Sequence, residues 1–286
     1  EKRHYYKKRL GYMIQQLYVI PSFDCNLRCP HCFLRLRKED FNEVAFFNSL
    51  QNTSAYYRIL FGGECTLHFD RFKKCLETGL IDAVSTNLLN LSPEILELYK
   101  KHEIALATSW NPQRFNEEQY KLWVENLRKL EGNGLDTIVL ITLTEDLLSY
   151  DLESLYSKFD CWNSIKSVKG ILFEFLVDDN SAEDLNERAD LWLCRVYKDW
   201  RWSNIENIIT ESLGRCIHNC NSIYTLEPDG IVRRGCPMFI KAKHLEKCLS
   251  CELADKCNPC VLKNQCSFPK NLSKLVEEDK LKFGEN

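Results

Sequence analysis

The chain has 286 residues, 44% of them hydrophobic, and its 38 basic and 41 acidic side chains leave a net charge of −3. That is enough apolar material for a buried core in one large domain or two unequal ones, and the near balance of charge leaves no footprint for wholesale nucleic-acid binding. No apolar run reaches the ~18 residues of a membrane span, and no apolar stretch with a cleavage site follows the start, so a globular cytoplasmic protein is expected.

Lys2, Arg3, Lys7, Lys8 and Arg9 crowd the first nine residues. Residues 1–14 therefore read as a basic arm, either solvated or docking an acidic partner. Glu1 is not an initiator, so residues upstream are expected. Over 15–203, short β-rich runs alternate with segments of helical period, the pattern of βα units on a parallel sheet. Strands are expected at 17–21, 57–61, 81–85, 104–109, 137–143 and 170–177. Helices are expected near 41–50, 68–78, 92–101, 116–130, 151–158 and 182–198, with Ser92 and Pro93 supplying a cap and a first helical residue. Six βα units are too few for a closed eight-stranded barrel, so an α/β partial (β/α)6 TIM-like barrel is the expected fold, with its chemistry at the C-terminal strand ends. From residue 204 the signals shorten. IYTL and IVRR flank the turn Glu227-Pro228-Asp229-Gly230 as a small hairpin within a cysteine-rich second domain over 204–270, and a charged tail follows at 271–286.

Fifteen cysteines in a chain with no secretory signal point to metal rather than disulfides. They fall mainly in two groups, at 25–32 and 216–266, with Cys65, Cys75, Cys161 and Cys194 between them. In the first, Cys25, Cys29 and Cys32 are spaced C-x3-C-x2-C directly after the first strand. Closed zinc and structural iron-sulfur sites have four ligands, whereas three leave one metal position open to a substrate. His31 offers a fourth ligand for zinc in principle, although its adjacency to Cys32 makes that strained. The second group, Cys216, Cys220, Cys236, Cys248, Cys251, Cys257, Cys260 and Cys266, makes two sets of four thiolates. Its central C-x2-C pairs stand only five residues apart, against ~15 to 20 in a zinc ribbon, so two iron-sulfur clusters fit better than zinc.

CNLRCPHC resembles the C-x3-C-x-aromatic-C motif of the radical SAM superfamily, with His31 in the aromatic slot. The resemblance implies a 4Fe-4S cluster on Cys25, Cys29 and Cys32 whose open iron is chelated by S-adenosylmethionine, and reductive cleavage to a 5'-deoxyadenosyl radical that abstracts hydrogen from substrate. Gly62, Gly63 and Glu64, ending the second strand, look like the family's motif for the methionine amino group. Where that family often has Pro next, this chain has Cys65, either a buried small hydrophobe or a reactive thiol near the radical. Ser85, Thr86 and Asn87 after strand three and Ser109 after strand four stand where relatives bind the cofactor's ribose and carboxylate, and Thr142 to Thr144 would pass near the adenine.

The cysteines from 216 to 266 resemble a SPASM domain, with one residue more after Gly230 and one fewer between Cys257 and Cys260 than is usual. The family's crossed pattern would assign Cys216, Cys220, Cys236 and Cys260 to one auxiliary cluster and Cys248, Cys251, Cys257 and Cys266 to the other. Three 4Fe-4S clusters and S-adenosylmethionine are therefore the expected cofactors, with an external donor such as a flavodoxin or ferredoxin.

The expected reaction is a net oxidative modification, such as a crosslink, of a ribosomally made peptide, with a small metabolite as the alternative substrate and a non-catalytic iron-sulfur or zinc module as the third reading. With only about 14 residues before the first strand, leader recognition would come from the barrel, a further segment or another protein. Glu174 on strand six and Asp178 or Asp179 beyond it are candidate acids or bases, or ordinary loop charges. Trp110 either floors the pocket or packs. His4, His68, His102, His218 and His244 share no spacing and receive no role.

Overall fold

The computed structural model describes residues 14–32, 34–35, 37–175, 184–200, 223–234 and 270–283. Six parallel strands run in chain order across one sheet: β1 (Ile14–Val19), β2 (Ala55–Leu60), β3 (Ala83–Thr86), β4 (Ala105–Ser109), β5 (Thr137–Leu143) and β6 (Val168–Phe175). All six expected strands are present, with ends shifted by a few residues, and β6 does not pair back to β1. This is the expected partial barrel. Helices α1 (Glu43–Asn52), α2 (Phe69–Glu77), α3 (Pro93–Lys101), α4 (Glu117–Gly132), α5 (Glu145–Leu148), α6 (Leu152–Asn163) and α7 (Leu185–Trp200) connect or follow the strands.

The helix starts follow from their caps. Ser92 Oγ accepts from the Ile95 N–H at 3.3 Å before Pro93, and Asn116 and Gln119 close a reciprocal capping box on α4. Leu17, Val19, Val84, Leu106, Val139 and Ile141 project toward this helix layer and are buried with Phe72, Tyr99, Trp123, Phe159 and Trp162. Trp110 belongs to the same layer, edge-on to Trp162 with centroids 5.2 Å apart, so it packs.

The sequence pointed to a separate hairpin, and the structure joins it to the barrel sheet. Strand β7 (Ile223–Leu226) pairs in parallel with β1, from Gln16↔Ile223 to Val19↔Leu226, and β8 (Val232–Arg234) closes an antiparallel pair outside it. The turn docks on α1: the Asn42 N–H donates to Pro228 O at 2.9 Å, and Ser49 Oγ donates to Gly230 O at 2.6 Å. These contacts span some 180 residues of sequence, which no local pattern can signal. The tail is likewise anchored, as helix α8 (Lys270–Phe283), whose first N–H groups at Asn271 and Leu272 donate to the buried Asp190 carboxylate of α7 at 2.9 and 3.0 Å.

Gly230 has φ +82°, and a β-carbon there would stand 2.6 Å from the carbonyl carbon and Cβ of Ala45. Gly79 has a similar φ of +67° with open space around it. Gly79→Ala should therefore cost only the left-handed strain of about 1–2 kcal/mol, and Gly230→Ala clearly more, as measured by urea unfolding.

Candidate active site

The cysteine loop is laid against the exit of β2 by backbone contacts. The Phe61, Gly63 and Glu64 N–H groups donate to Val19, Ser22 and Asp24 carbonyls at 2.9, 3.1 and 2.7 Å. Both glycines are required by that approach. Gly62 has φ +143°, and β-carbons at Gly62 and Gly63 would run into the carbonyls of Ser22 and Asp24. Cys25 is the first residue beyond this pinned stretch.

Glu64 is fully buried, and its carboxylate is a hub. Oε1 accepts from the Thr66 N–H at 3.2 Å, Thr66 Oγ1 at 2.7 Å and Thr86 Oγ1 at 2.9 Å, while Oε2 accepts from the Asn87 N–H at 2.6 Å. These donors satisfy a carboxylate that burial would otherwise leave unpaired. It ties the 3-10 turn Cys65–Leu67 to the end of β3. Asn87 continues the chain of contacts: Nδ2 donates to Asn26 Oδ1 at 2.6 Å and lies 4.0 Å from Cys25 Sγ. The next residue, buried Leu88, holds a left-handed φ of 61°, fixed by its N–H to Thr86 Oγ1 at 3.0 Å and by Asn126 Nδ2 to its carbonyl at 2.7 Å. Such strain is sustained because the contacts around it over-determine the backbone.

Cys29 is buried, and Cys25 and Cys32 are half-buried. The Leu27 N–H donates to Cys25 Sγ at 3.4 Å, the Cys32 N–H donates to Cys29 O at 3.1 Å, and Arg114 Nη1 lies 3.4 Å from Cys29 Sγ. One zinc ion would draw its sulfurs to roughly 3.8 Å of one another, given Zn–S bonds of ~2.3 Å. Among the described residues the trio that closes to within 4.8 Å is Asp24, Glu39 and His68, and the three cysteines do not. Three thiols on one short loop, with backbone and side-chain donors at the sulfurs, are a donor set that an iron-sulfur cluster or a single soft ion would each use. The Asp24 trio is held without an ion: His68 Nε2 meets Asp24 Oδ2 at 2.8 Å, and Glu39 pairs with Arg71 and Ser22.

Burial pushes the Cys25 thiol up, with the nearby Glu64 charge adding to it against the Leu27 N–H and Arg114. Burial and then Arg114 push His31 down, toward the neutral imidazole. Cys65 is buried with Sγ 3.8 Å from Ser85 O and 3.9 Å from Glu64 Oε1, and burial raises it well above its ordinary range. Ser85 and Ser109 are half-buried at the ends of β3 and β4, near Asn87 in the chain order of the sheet. Glu174 is exposed on β6, two strands beyond β4, opposite Thr142. Asp178, Asp179 and the eight cysteines from Cys216 to Cys266 lie outside the described residues. Sequence reading missed Arg114, Asn26, Thr66 and the buried Asn111, which carry no motif of their own. Their only signal is position, just after strands two and four or inside the cysteine loop.

No family model matches the sequence, and no curated protein matches it. Solved structures do match in fold. SuiB of Streptococcus suis bound to S-adenosylmethionine aligns with a TM-score of 0.62 at 15% identity, over 91% of this chain and 78% of that one. SuiB bound to its precursor peptide SuiA aligns at 0.61 and 15%, over 88% and 73%. Native anSMEcpe with bound AdoMet aligns at 0.61 and 14%, over 94% and 96%. The chain thus has the α/β partial-barrel fold of proteins that have been crystallised with S-adenosylmethionine.

Glu64→Gln would turn an amide N–H₂ toward one of the four donors, so it should destabilise the fold by about 1–3 kcal/mol and lower the iron retained after anaerobic reconstitution. Denaturant midpoints and iron assay check both. A cluster on these cysteines would need thiolates. Because the Cys25 thiol is held above its ordinary value, loading should slow as pH falls from about 9 to about 7, as followed by the rise of visible absorbance.

Proposed function

We propose that the chain is a radical S-adenosylmethionine enzyme that oxidatively modifies, by crosslinking, a peptide made on the ribosome. Cys25, Cys29 and Cys32 hold the 4Fe-4S cluster, which supplies reductive cleavage of S-adenosylmethionine when bound. The observation that carries this reading is the three-cysteine loop pinned by Gly62-Gly63-Glu64 at the C-terminal ends of the parallel strands. Gly62, Gly63, Glu64, Ser85, Asn87, Ser109 and His31 form the cofactor's surroundings. Glu64 acts there through the backbone it holds, since its carboxylate oxygens already have four donors. Glu174 and Asp178 remain the candidate groups near substrate, whereas Cys65, buried in the core with Phe72 and Leu76, is read as a packing residue. The peptide reading is supported by the likeness in fold to proteins crystallised with peptides: SuiB with SuiA, and anSMEcpe with AdoMet and a peptide.

Electrons balance in this scheme. One electron from a flavodoxin- or ferredoxin-like donor enters, one substrate hydrogen leaves as 5'-deoxyadenosine, and bond formation releases a proton and one electron. Two auxiliary clusters on the cysteines of a 204–270 domain carry that electron away. Among the described residues no helix is long and apolar enough to cross a membrane.

The test uses anaerobically purified full-length protein with reductant, S-adenosylmethionine and the short peptide encoded beside its gene. We expect about twelve iron atoms per chain, 5'-deoxyadenosine, and a peptide lighter by two hydrogen atoms, all but the auxiliary iron lost in Cys29→Ala. Zinc in place of iron with no 5'-deoxyadenosine would refute the enzyme reading. Turnover of a metabolite pool but of no peptide would move the substrate to a small molecule.

A further inference from the structure

Arg114 stands five residues beyond the end of β4, in a connection that holds it from both sides. Asn111 is buried and grips the end of β5 twice, through Nδ2 to Thr142 O at 2.7 Å and Oδ1 to the Thr142 N–H at 3.4 Å. The Arg114 N–H donates to Asn111 O at 3.0 Å, and two residues later Asn116 caps α4. Between these fixed points the guanidinium lies 5.6 Å from the Phe115 ring centre and sends Nη1 to Cys29 Sγ at 3.4 Å. Its Nε is buried without a hydrogen-bond partner. A surface arginine would turn that donor to water. Here the charge is held at a sulfur, at the cost of an unsatisfied donor.

A thiolate that ligates iron is a strong acceptor, and a guanidinium donor to it forms a charge-assisted hydrogen bond. Reduction adds one negative charge that spreads over the irons and their sulfurs, so such a donor stabilises the reduced cluster more than the oxidised one. We propose that Arg114 is a positioning residue for electron entry: by donating to the Cys29 sulfur it raises the reduction potential of the cluster on Cys25, Cys29 and Cys32. The inference rests on the reading of that triad as a cluster site. The electron it eases in comes from the external one-electron donor, and no group is covalently altered.

The test compares wild type, Arg114→Gln and Arg114→Lys, each reconstituted anaerobically. The reduced-cluster electron paramagnetic resonance signal that changes on adding S-adenosylmethionine is titrated against ambient potential. Arg114→Gln should lower the reduced-to-oxidised ratio at a fixed potential about tenfold, equal to ~59 mV for one electron, with iron content unchanged. Arg114→Lys, which keeps a point charge but loses the fork, should shift by less than half as much. An unshifted midpoint in Arg114→Gln overturns the inference, and so does loss of the triad's iron in both variants, which would make Arg114 structural only. A wild-type protein without any S-adenosylmethionine-responsive signal would sink the functional reading, and this inference with it.

Discussion

The geometry of the site depends on one buried carboxyl group. Among the described residues the Glu64 carboxylate has no cationic partner, and four protein donors satisfy it instead. Each donor comes from a segment that must be in place: the turn after β2 and the end of β3. Because a carboxylate stripped of any one donor would be left paying the desolvation cost of a buried acceptor, the segments lock together or not at all. The cysteine loop inherits this rigidity through Asn87, which reaches from the hub to Asn26 and Cys25, and through the Glu64 N–H, which grips Asp24.

A second charged network fixes the other side of the same loop. Buried Glu227, in the β7–β8 turn, pairs with Arg37 at 2.6 Å and with Arg233 at 2.9 Å, and Arg233 also holds Asp229 at 2.6 Å. Arg37 in turn lies 4.6 Å over the Phe23 ring. Buried ion pairs add little net stability, because desolvation offsets their attraction. Their effect is on register: only one seating of the hairpin beside β1 satisfies the carboxylate, and that seating also fits Gly230 onto Ala45. The stretch after Cys32 is thereby tied to a turn almost 200 residues later in the chain.

The sequence carried the fold well where the physics is local. Alternation of β-rich and helical runs, the Ser92-Pro93 start and the EPDG turn each encode their own element within a few residues, and all six expected barrel strands formed. It carried the site less completely. The cysteine spacing and the GGE run are compact and legible, whereas Arg114 reaches Cys29 across 85 residues of sequence and Asn111 reaches Thr142 across 31. A lone Arg or Asn after a strand is ordinary, and only the closing of the sheet brings either to a partner. The same limit hid the docking of the hairpin against β1, since parallel pairing leaves no turn to read. Trp110 shows the converse: its type left a pocket floor and packing equally open, and the helix layer, with Trp123 and Trp162, decides for packing.

The sheet also shows where room for chemistry arises. Interior parallel strands are ordinarily covered on both faces. Strand β5, flanked by β4 and β6, instead alternates buried and half-buried residues along its length, with Val139 and Ile141 under the helices and Ile138, Leu140 and Thr142 on the other face. Strands β3 and β4 place Ser85, Ala107 and Ser109, all small and all half-buried, on that same side. A closed barrel would fill this space with bulky side chains in layers. Among the described residues this face carries small side chains at its centre, and it leads to the strand ends where Arg114 meets Cys29.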